Sequence, residues 1–196
     1  MRTIGLLGGM SWESSIEYYR IVNERVRERL GGYHSAASVM YSFDFDGIEE
    51  LQRAGDWDEA GRRLADAACR VEAAGAELLV ICANTMHKLA DRVQAAVRIP
   101  LVHIADATAQ AARGLGVGRL GLLGTRYTME QDFYRGRLAR HGFEVLVPDR
   151  PALEAVHRII FDELVHGVVR PASRARYLEV VEALTGRGAE AVILGC

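Results

Sequence analysis

The sequence predicts an α/β protein made of two pseudo-symmetric halves, each with a doubly wound parallel sheet between layers of helices. Three observations support this class. Short apolar runs alternate with amphipathic stretches, several runs end in glycine or Asn-Thr, and the second half of the chain repeats motifs of the first. Strands that alternate with helices pair in parallel through right-handed crossovers. With 196 residues, 49% of them hydrophobic, the chain is long enough for two small cores.

The predicted elements follow one another along the chain. Residues 3–8 form a short apolar run that ends in glycine, which is typical of a buried strand. Apolar residues then recur at helical spacing over 12–30, with Ser11 as a plausible N-cap. The other predicted elements are strands at 37–43, 77–82 and 101–103 and helices at 57–74, 86–97 and 106–113.

An internal repeat divides the chain. Residues 4–9 (IGLLGG) match 120–125 (LGLLGT), and residues 75–83 (GAELLVICA) match 188–196 (GAEAVILGC). The offsets are 120 − 4 = 116 and 188 − 75 = 113, close enough for one repeat with a small deletion. Two chance matches of short apolar strings are the alternative, but the order of the matches is kept in both halves. We therefore predict one half at 1–113 and a second at 114–196.

Composition narrows the function. A net charge of −2 with no basic stripe argues against a nucleic-acid partner. No apolar run reaches the roughly 18 residues of a membrane span, and the first residues lack a signal-peptide core, so we expect a soluble, unprocessed protein that binds no membrane. The unpaired cysteines make a reducing cytoplasm the expected location. Three cysteines without paired spacing favour neither a disulfide framework nor a structural metal site.

Polar and glycine-rich segments follow four of the strands. In open α/β sheets, ligands bind beyond the carboxyl ends of the strands, where helix N-termini present free N–H groups that suit a carboxylate. The G-x-G-x-x-G dinucleotide motif and the Walker motif are absent. Turn and capping chemistry is the alternative interpretation of each segment taken alone. The segments are 8–11, 82–87, 124–128 and 195–196, and their donor side chains are Asn84, Thr85, Thr125 and Thr128.

The three cysteines have different settings. Cys69 lies within a helical run and is predicted to be a buried small hydrophobe. Cys82 and Cys196 end strands, where facing helix N-termini can lower the pKa of a thiol and produce a thiolate base or nucleophile.

Five motifs together resemble the aspartate/glutamate racemase family, in particular its broad-specificity or L-aspartate/glutamate branch. The resemblance covers essentially the whole chain. It implies two pseudo-symmetric α/β halves with the active site between them, a small amino-acid substrate, a homodimer, and neither pyridoxal phosphate nor a metal. The motifs are IGLLGGMSWES at 4–14, NTMH at 84–87, LGTRYTME at 123–130, DEL at 162–164 and GC at 195–196.

The resemblance also implies a mechanism. Two acid/base residues, typically cysteines, stand on opposite faces of the substrate Cα; one removes the α-proton and the other returns a proton to the opposite face. Cys196 takes the second position. A Schiff-base cofactor would need a lysine, and Lys88 is the single lysine. By resemblance, the α-carboxylate is held by Asn84, Thr85, Thr125 and Thr128, and the pocket is lined by Met10, Ser11 and Gln52.

The chain departs from the family at the first catalytic position, which precedes Asn-Thr and holds Ala83. The internal repeat places Cys196 opposite Ala83, and Gly195 opposite Cys82. Neighbouring side chains of a strand point to opposite faces, so Cys82 should turn into the packing. Three explanations stay open: an engineered knock-out at Ala83, a natural protein that works with one base, or a twisted loop that brings Cys82 round.

A one-base site leaves three activities open. The first is a racemase crippled at one position, the second a single-cysteine decarboxylase of the same superfamily, and the third an inactive amino-acid-binding homologue. The family motif continues past the second cysteine, so we expect the second half to be truncated at residue 196. Arg53 or His166 could meet a side-chain carboxylate, and a non-acidic amino acid is equally admissible.

Overall fold

The computed structural model describes residues 1–196 and contains two fully parallel sheets flanked by helices, which confirms the predicted class. The strands are β1 (Ile4–Gly8), β2 (Ser38–Ser42), β3 (Leu78–Ile81), β4 (Leu101–Val102), β5 (Arg119–Leu123), β6 (Glu144–Leu146) and β7 (Ala191–Leu194). The α-helices are α1 (Trp12–Leu30), α2 (Phe45–Ala54), α3 (Trp57–Ala73), α4 (Ala90–Ala96), α5 (Ile104–Leu115), α6 (Arg126–Glu130), α7 (Asp132–Arg140), α8 (Arg150–Asp162) and α9 (Pro171–Gly186). Two 3-10 helices span Thr85–Leu89 and Leu164–His166.

The chain divides into two compact units, residues 1–103 and residues 104–196. Helix α5 belongs to the second unit, because Ala105, Ala109 and Ala112 are buried in that unit's core. The predicted division at 113/114 followed the internal repeat, whereas the compact units divide before α5. That division stays a prediction about the repeat.

The first unit has the strand order β2-β1-β3-β4, with every pair parallel. Helix α3 covers this sheet with an apolar face that includes Leu64, Ala68 and Val71, all buried. The helix begins at Asp56, whose side chain accepts a hydrogen bond from the backbone N–H of Glu59 at 3.0 Å. The core therefore forms on the α3 side of the sheet.

The second unit has the strand order β6-β5-β7, again parallel throughout. Leu120, Leu122 and Leu123 of β5 are buried in its core. In both units the chain passes from the first strand to a neighbour on one side and returns to the other side for the third strand. The carboxyl ends of the first and third strands therefore flank a topological switch point, the usual ligand-binding crevice of such sheets.

Helix α2 was not predicted. Its local signals are nevertheless present: the side chain of Asp44 accepts from the N–H of Asp46 at the start, and Gly55 closes the end in the left-handed conformation at φ 73°. The predicted helix over 86–97 is divided into the 3-10 helix and α4. No helix of the structure combines the length and apolar character needed to cross a membrane.

Candidate active site

Each unit carries one strand-end site at its switch point. We define the first strand-end site as residues 8–11 and 82–87, which follow β1 and β3, and the second as residues 124–128 and 195–196, which follow β5 and β7. The four segments singled out in the sequence are thus paired within their own units. The pairing follows from the strand orders, because β1 lies beside β3 and β5 beside β7.

The register of the strands makes Ala83 and Cys196 equivalent. Leu7 of β1 lies opposite Ile81 of β3, and Leu123 of β5 lies opposite Leu194 of β7. Ala83 and Cys196 each come two residues after the third-strand partner. The residues just before them, Cys82 and Gly195, make equivalent backbone hydrogen bonds. The N–H of Cys82 donates to the carbonyl of Leu7 at 2.8 Å, and the N–H of Gly195 donates to the carbonyl of Leu123 at 2.6 Å. The sheet geometry therefore gives the same alignment as the sequence repeat.

A glycine turn shapes the first strand-end site. Gly9 adopts φ 84°, and its N–H donates to the hydroxyl of Ser15 at 2.8 Å. A β-carbon at Gly9 would collide with the backbone of Phe43 and lie 2.7 Å from Oγ of Ser42. Ser11 takes the predicted N-cap position of α1, but its side chain makes no capping hydrogen bond. Glycine is therefore required at position 9 by both its dihedral angle and its close contacts.

Replacing Gly9 by alanine should destabilise the first unit by about 2–4 kcal/mol, because strain at positive φ adds to the collision with Phe43. Gly55→Ala is the matched control: Gly55 has φ 73° with open space around it, so we expect a loss of only about 1 kcal/mol. Urea unfolding followed by tryptophan fluorescence reports on this unit, since Trp12 and Trp57 both lie in it. Equal losses for the two variants would contradict the close-contact argument.

Asn84 offers an unpartnered acceptor in the first strand-end site. It is half-buried, and its Oδ1 is buried without a hydrogen-bonding partner. The neighbouring Thr85 is buried at the start of the 3-10 helix. A buried acceptor without a donor carries a desolvation cost, which a ligand N–H can offset.

Two histidines support the turn after β3. Nδ1 of His87 lies 2.8 Å from the carbonyl oxygen of Ala83. Because a carbonyl can only accept, the proton of the His87 ring lies on Nδ1. The ring of His103 packs edge-on against that of His87 at 4.6 Å, and both residues are buried. His87 therefore holds the main chain of Ala83 in place.

The two other predicted pocket residues of this unit are buried. Met10 is 6% exposed and Gln52 is 4% exposed. The amide of Gln52 donates to the sulfur of Met86 at 3.1 Å. Lys88 lies over the ring of Trp57, 4.2 Å from its centroid, and burial lowers the pKa of its ammonium. Their roles toward a substrate stay predictions.

The cysteines differ sharply in exposure. Cys82 is completely buried, and burial raises the pKa of its thiol to about 12. Cys69 is exposed, and its thiol donates to the carbonyl of Ala96 at 3.4 Å, so the prediction of a buried Cys69 is wrong. The neighbouring Ala68 occupies the buried position of the helix. Because a helix has 3.6 residues per turn, the side chain of the next residue points in a different direction, here toward solvent.

Cys196 lies at the second strand-end site. The residue as a whole is exposed, yet the atoms around its sulfur raise the pKa of the thiol by burial to about 11. Contact with solvent limits that rise. The predicted lowering of the thiol pKa by helix N-termini is therefore not found: desolvation dominates at both strand-end cysteines.

The threonines of the second strand-end site bond to each other. Oγ1 of Thr125 accepts from the N–H of Thr128 at 3.3 Å and lies 3.2 Å from the Thr128 hydroxyl. Thr125 is 6% exposed and Thr128 is completely buried. Thr125 thus caps α6, and contact of either hydroxyl with a substrate stays a prediction.

The helices that follow the strands are shorter than the anion-binding argument requires. Only α1 is long, with 19 residues, whereas α6 and the 3-10 helix after β3 have 5 each. A macrodipole is a sum over aligned peptides, so short helices contribute little. Free N–H groups and short polar side chains are the donors that remain. No group of three or more His, Cys, Asp or Glu side chains is arranged to hold a metal ion.

Two candidate side chains for substrate specificity lie on the surface. Arg53 is 70% exposed at its side chain and lies 3.6 Å from the carboxylate of Glu49. His166 is exposed in the second 3-10 helix. One further residue, Tyr177 of helix α9, lines a cavity together with Cys196. It was not predicted from the sequence, because no motif or spacing in this helix indicates a functional residue.

The fold and the site define a class: a two-unit parallel α/β protein with one strand-end site in each unit and a thiol at one of the two equivalent positions. The sequence profile of the Asp/Glu/hydantoin racemase family matches residues 7–196. The chain belongs to that family.

Similar proteins carry racemase names. A Yersinia pestis protein provisionally named an Asp/Glu racemase is 52% identical with a TM-score of 0.92, and the match covers 100% of this chain and 86% of that one. An aspartate racemase homologue from Pyrococcus horikoshii OT3 is 38% identical with a TM-score of 0.83, covering 100% and 85%. These matches extend over the whole of the present chain.

A curated relative matches over a shorter stretch. The broad specificity amino-acid racemase RacX of Bacillus subtilis (strain 168) is 28% identical over 105 residues, which are 54% of this chain and 45% of that protein. The chain thus matches less than half the length of this relative. Family membership and these names support a racemase.

Proposed function

We propose that the protein is a cofactor-independent amino-acid racemase of the aspartate/glutamate type, in which Cys196 exchanges the proton at the substrate Cα. The observation that carries the proposal is the shared strand register of Ala83 and Cys196 at the two switch points. In the family, acid/base residues stand at these two positions. Here one position holds a thiol and the other a methyl group.

The proposed chemistry at Cys196 is a single proton transfer. The thiolate removes the α-proton, so that the sulfur becomes a thiol and the electron pair stays on Cα, delocalised into the carboxylate. Return of the proton from the same sulfur restores the original configuration. Inversion needs a donor on the opposite face of Cα, and the methyl group of Ala83 carries no exchangeable proton. We therefore expect exchange with retention to be much faster than racemisation.

The polar groups of the two strand-end sites suit an amino acid. The unpartnered Oδ1 of Asn84 is an acceptor for the α-ammonium group, while the N–H₂ of the same amide stays a predicted donor to the α-carboxylate. The α-carboxylate is assigned to the backbone N–H groups and hydroxyls of the strand-end sites, with Thr85, Thr125 and Thr128 as the predicted contacts. Met10, Ser11 and Gln52 are the proposed lining. The sole lysine stacks on Trp57, and the proposed mechanism uses no Schiff base.

Isotope exchange tests the proposal. The protein is incubated in D₂O with L- and D-aspartate, glutamate and a panel of neutral and basic amino acids, and deuterium at Cα is measured by NMR while configuration is measured by chiral chromatography. We expect deuterium incorporation with little inversion for at least one amino acid. Heat-inactivated protein is the control. Absence of exchange for every amino acid tested would refute the proposal and leave the decarboxylase and the amino-acid-binding protein as the alternatives.

Decarboxylation is the second candidate, and the methyl group at Ala83 favours it. A reaction that loses CO₂ creates the carbanion without a base and then needs only one proton donor, which Cys196 supplies. Incubation with aryl- or alkyl-malonates separates the two candidates. Release of CO₂ without exchange at the Cα of amino acids would favour the decarboxylase. The homodimer and the cytoplasmic location implied by the resemblance are likewise proposals.

A further inference from the structure

A polar group that the proposed mechanism does not use lies beside Cys196. Tyr177 of helix α9 and Cys196 line one cavity of about 340 Å³, together with Ser173, Arg170 and Arg174. The apolar part of the wall includes Leu194 of β7. Helix α9 therefore places a phenol in the same cavity as the strand-end thiol.

The hydroxyl of Tyr177 is buried and has no hydrogen-bonding partner. Tyrosine hydroxyls that are buried usually find one, because a lost hydrogen bond to water is otherwise not replaced. The negative charges of Cys196 and Glu163 both act on this phenol. The acidic groups whose charges reach this phenol are thus Glu163 and, when it is ionised, Cys196.

The second anionic group, Glu163, is fixed in place. It is 8% exposed, and its Oε1 accepts from the hydroxyl of Ser173 at 2.8 Å and lies 4.0 Å from the guanidinium of Arg170. Its Oε2 is buried without a partner. This carboxylate therefore acts on the Tyr177 phenol from a fixed place, whereas burial alone raises the pKa of the Cys196 thiol.

We propose that Tyr177 is a positioning residue for Cys196, donating its buried hydroxyl to the sulfur when Cys196 carries a negative charge. The inference rests on the proposed role of Cys196 and adds the group that stabilises its charged form. Burial raises the pKa of the Tyr177 phenol above its usual range, and the charges of Cys196 and Glu163 act in the same direction. Tyr177 therefore keeps its proton at the pH at which the thiol would ionise, and can serve only as a donor.

The donor matters because burial works against the thiolate. A hydrogen bond to the charged form of an acid favours that form, whereas burial disfavours it. Arg170 and Arg174 also line the cavity, and the guanidinium of Arg170 lies 4.0 Å from the carboxylate of Glu163. The phenol of Tyr177 is a neutral donor, so it can stabilise the thiolate without bringing another charged group into the cavity.

Titration of the thiol tests the inference without an activity assay. The rate of alkylation of Cys196 by iodoacetamide is measured against pH in a Cys69→Ser background, with peptide mass spectrometry to assign the modified residue. Cys82 is completely buried, so its alkylation is a readout of unfolding. Tyr177→Phe should move the midpoint upward by about one pH unit, a roughly tenfold smaller thiolate fraction at a given pH below the midpoint.

Matched controls separate this effect from a change in packing. Tyr134→Phe removes the hydroxyl of another buried tyrosine of the same unit, whose partner is the hydroxyl of Thr108 at 3.4 Å, and should leave the midpoint unchanged. Tyr177→Phe should not lower the thermal unfolding temperature, since the Tyr177 hydroxyl has no hydrogen-bonding partner to lose. An unchanged midpoint in folded Tyr177→Phe would overturn the inference. A shifted midpoint in a protein without isotope exchange would instead overturn only the proposed function.

Discussion

Replacing Ala83 by cysteine should increase the rate of racemisation by about 10²–10⁴-fold, the usual contribution of one positioned acid/base group. The new thiol would occupy the position that is equivalent, by strand register, to that of Cys196. Ala83 is only half-buried, and its carbonyl is held by His87, so the backbone is fixed while the side-chain direction is available. Racemisation is followed by chiral chromatography of the amino acids that show isotope exchange.

Two controls make the Ala83→Cys result specific. Ala83→Ser introduces a side chain of similar size whose alcohol is a poor proton donor and acceptor, and should give little racemisation. Cys82→Ala removes the buried neighbouring thiol and should leave exchange unchanged, which tests the explanation that Cys82 turns toward the substrate. If folded Ala83→Cys protein gains no inversion, the two-base interpretation of the strand-end positions is wrong.

Replacing Cys196 by serine should lower the rate of α-proton exchange by about 10²–10⁴-fold. Serine keeps the shape of the side chain but releases its proton far less readily than a thiol, so the fraction of active base becomes negligible. Substrate binding should change little, because the predicted contacts to the carboxylate and ammonium lie on other residues. Binding is measured by calorimetry and exchange by NMR on the same protein.

The pH dependence of the wild-type protein provides an internal check on Cys196. Burial raises the pKa of this thiol to about 11, so the thiolate fraction, and with it the exchange rate, should rise about tenfold per pH unit through the neutral range. Cys69→Ser, at an exposed site in the first unit, is the control and should have no effect. Exchange at the wild-type rate in Cys196→Ser would exclude Cys196 as the base.

Much of the fold and the equivalence of Ala83 and Cys196 could be predicted because they depend on local patterns. The alternation of side chains along a strand is strict, so the burial of Cys82 followed from its place before Ala83. Cys69 was predicted to be buried because cysteine usually is, but its place on the helix decides otherwise. The buried face of α3 recurs at helical spacing through Leu64, Ala68 and Val71, and Cys69 lies off that face.

The chemistry around the candidate site was less predictable than its position. The pKa values of Cys82 and Cys196 are raised by desolvation in the folded units. This effect is larger than any lowering of the thiol pKa by the N-termini of the short helices that follow the strands. Tyr177 carries no sequence signal, because its meaning depends on one unpartnered hydroxyl beside Cys196. Whether a buried hydroxyl has a hydrogen-bonding partner depends on the folded unit and cannot be predicted from the spacing of residues in the sequence.

Under the proposed mechanism, the methyl group of Ala83 would have a stereochemical consequence. A site with an acid/base group on each face of Cα treats the two mirror-image forms of an amino acid almost alike, since either group can begin the reaction. A site whose only proton carrier is Cys196 can act on just the form whose α-hydrogen points at that sulfur. The one-carbon side chain at position 83 would thus turn a fold that erases handedness into one that recognises it, leaving the opposite enantiomer bound but untouched.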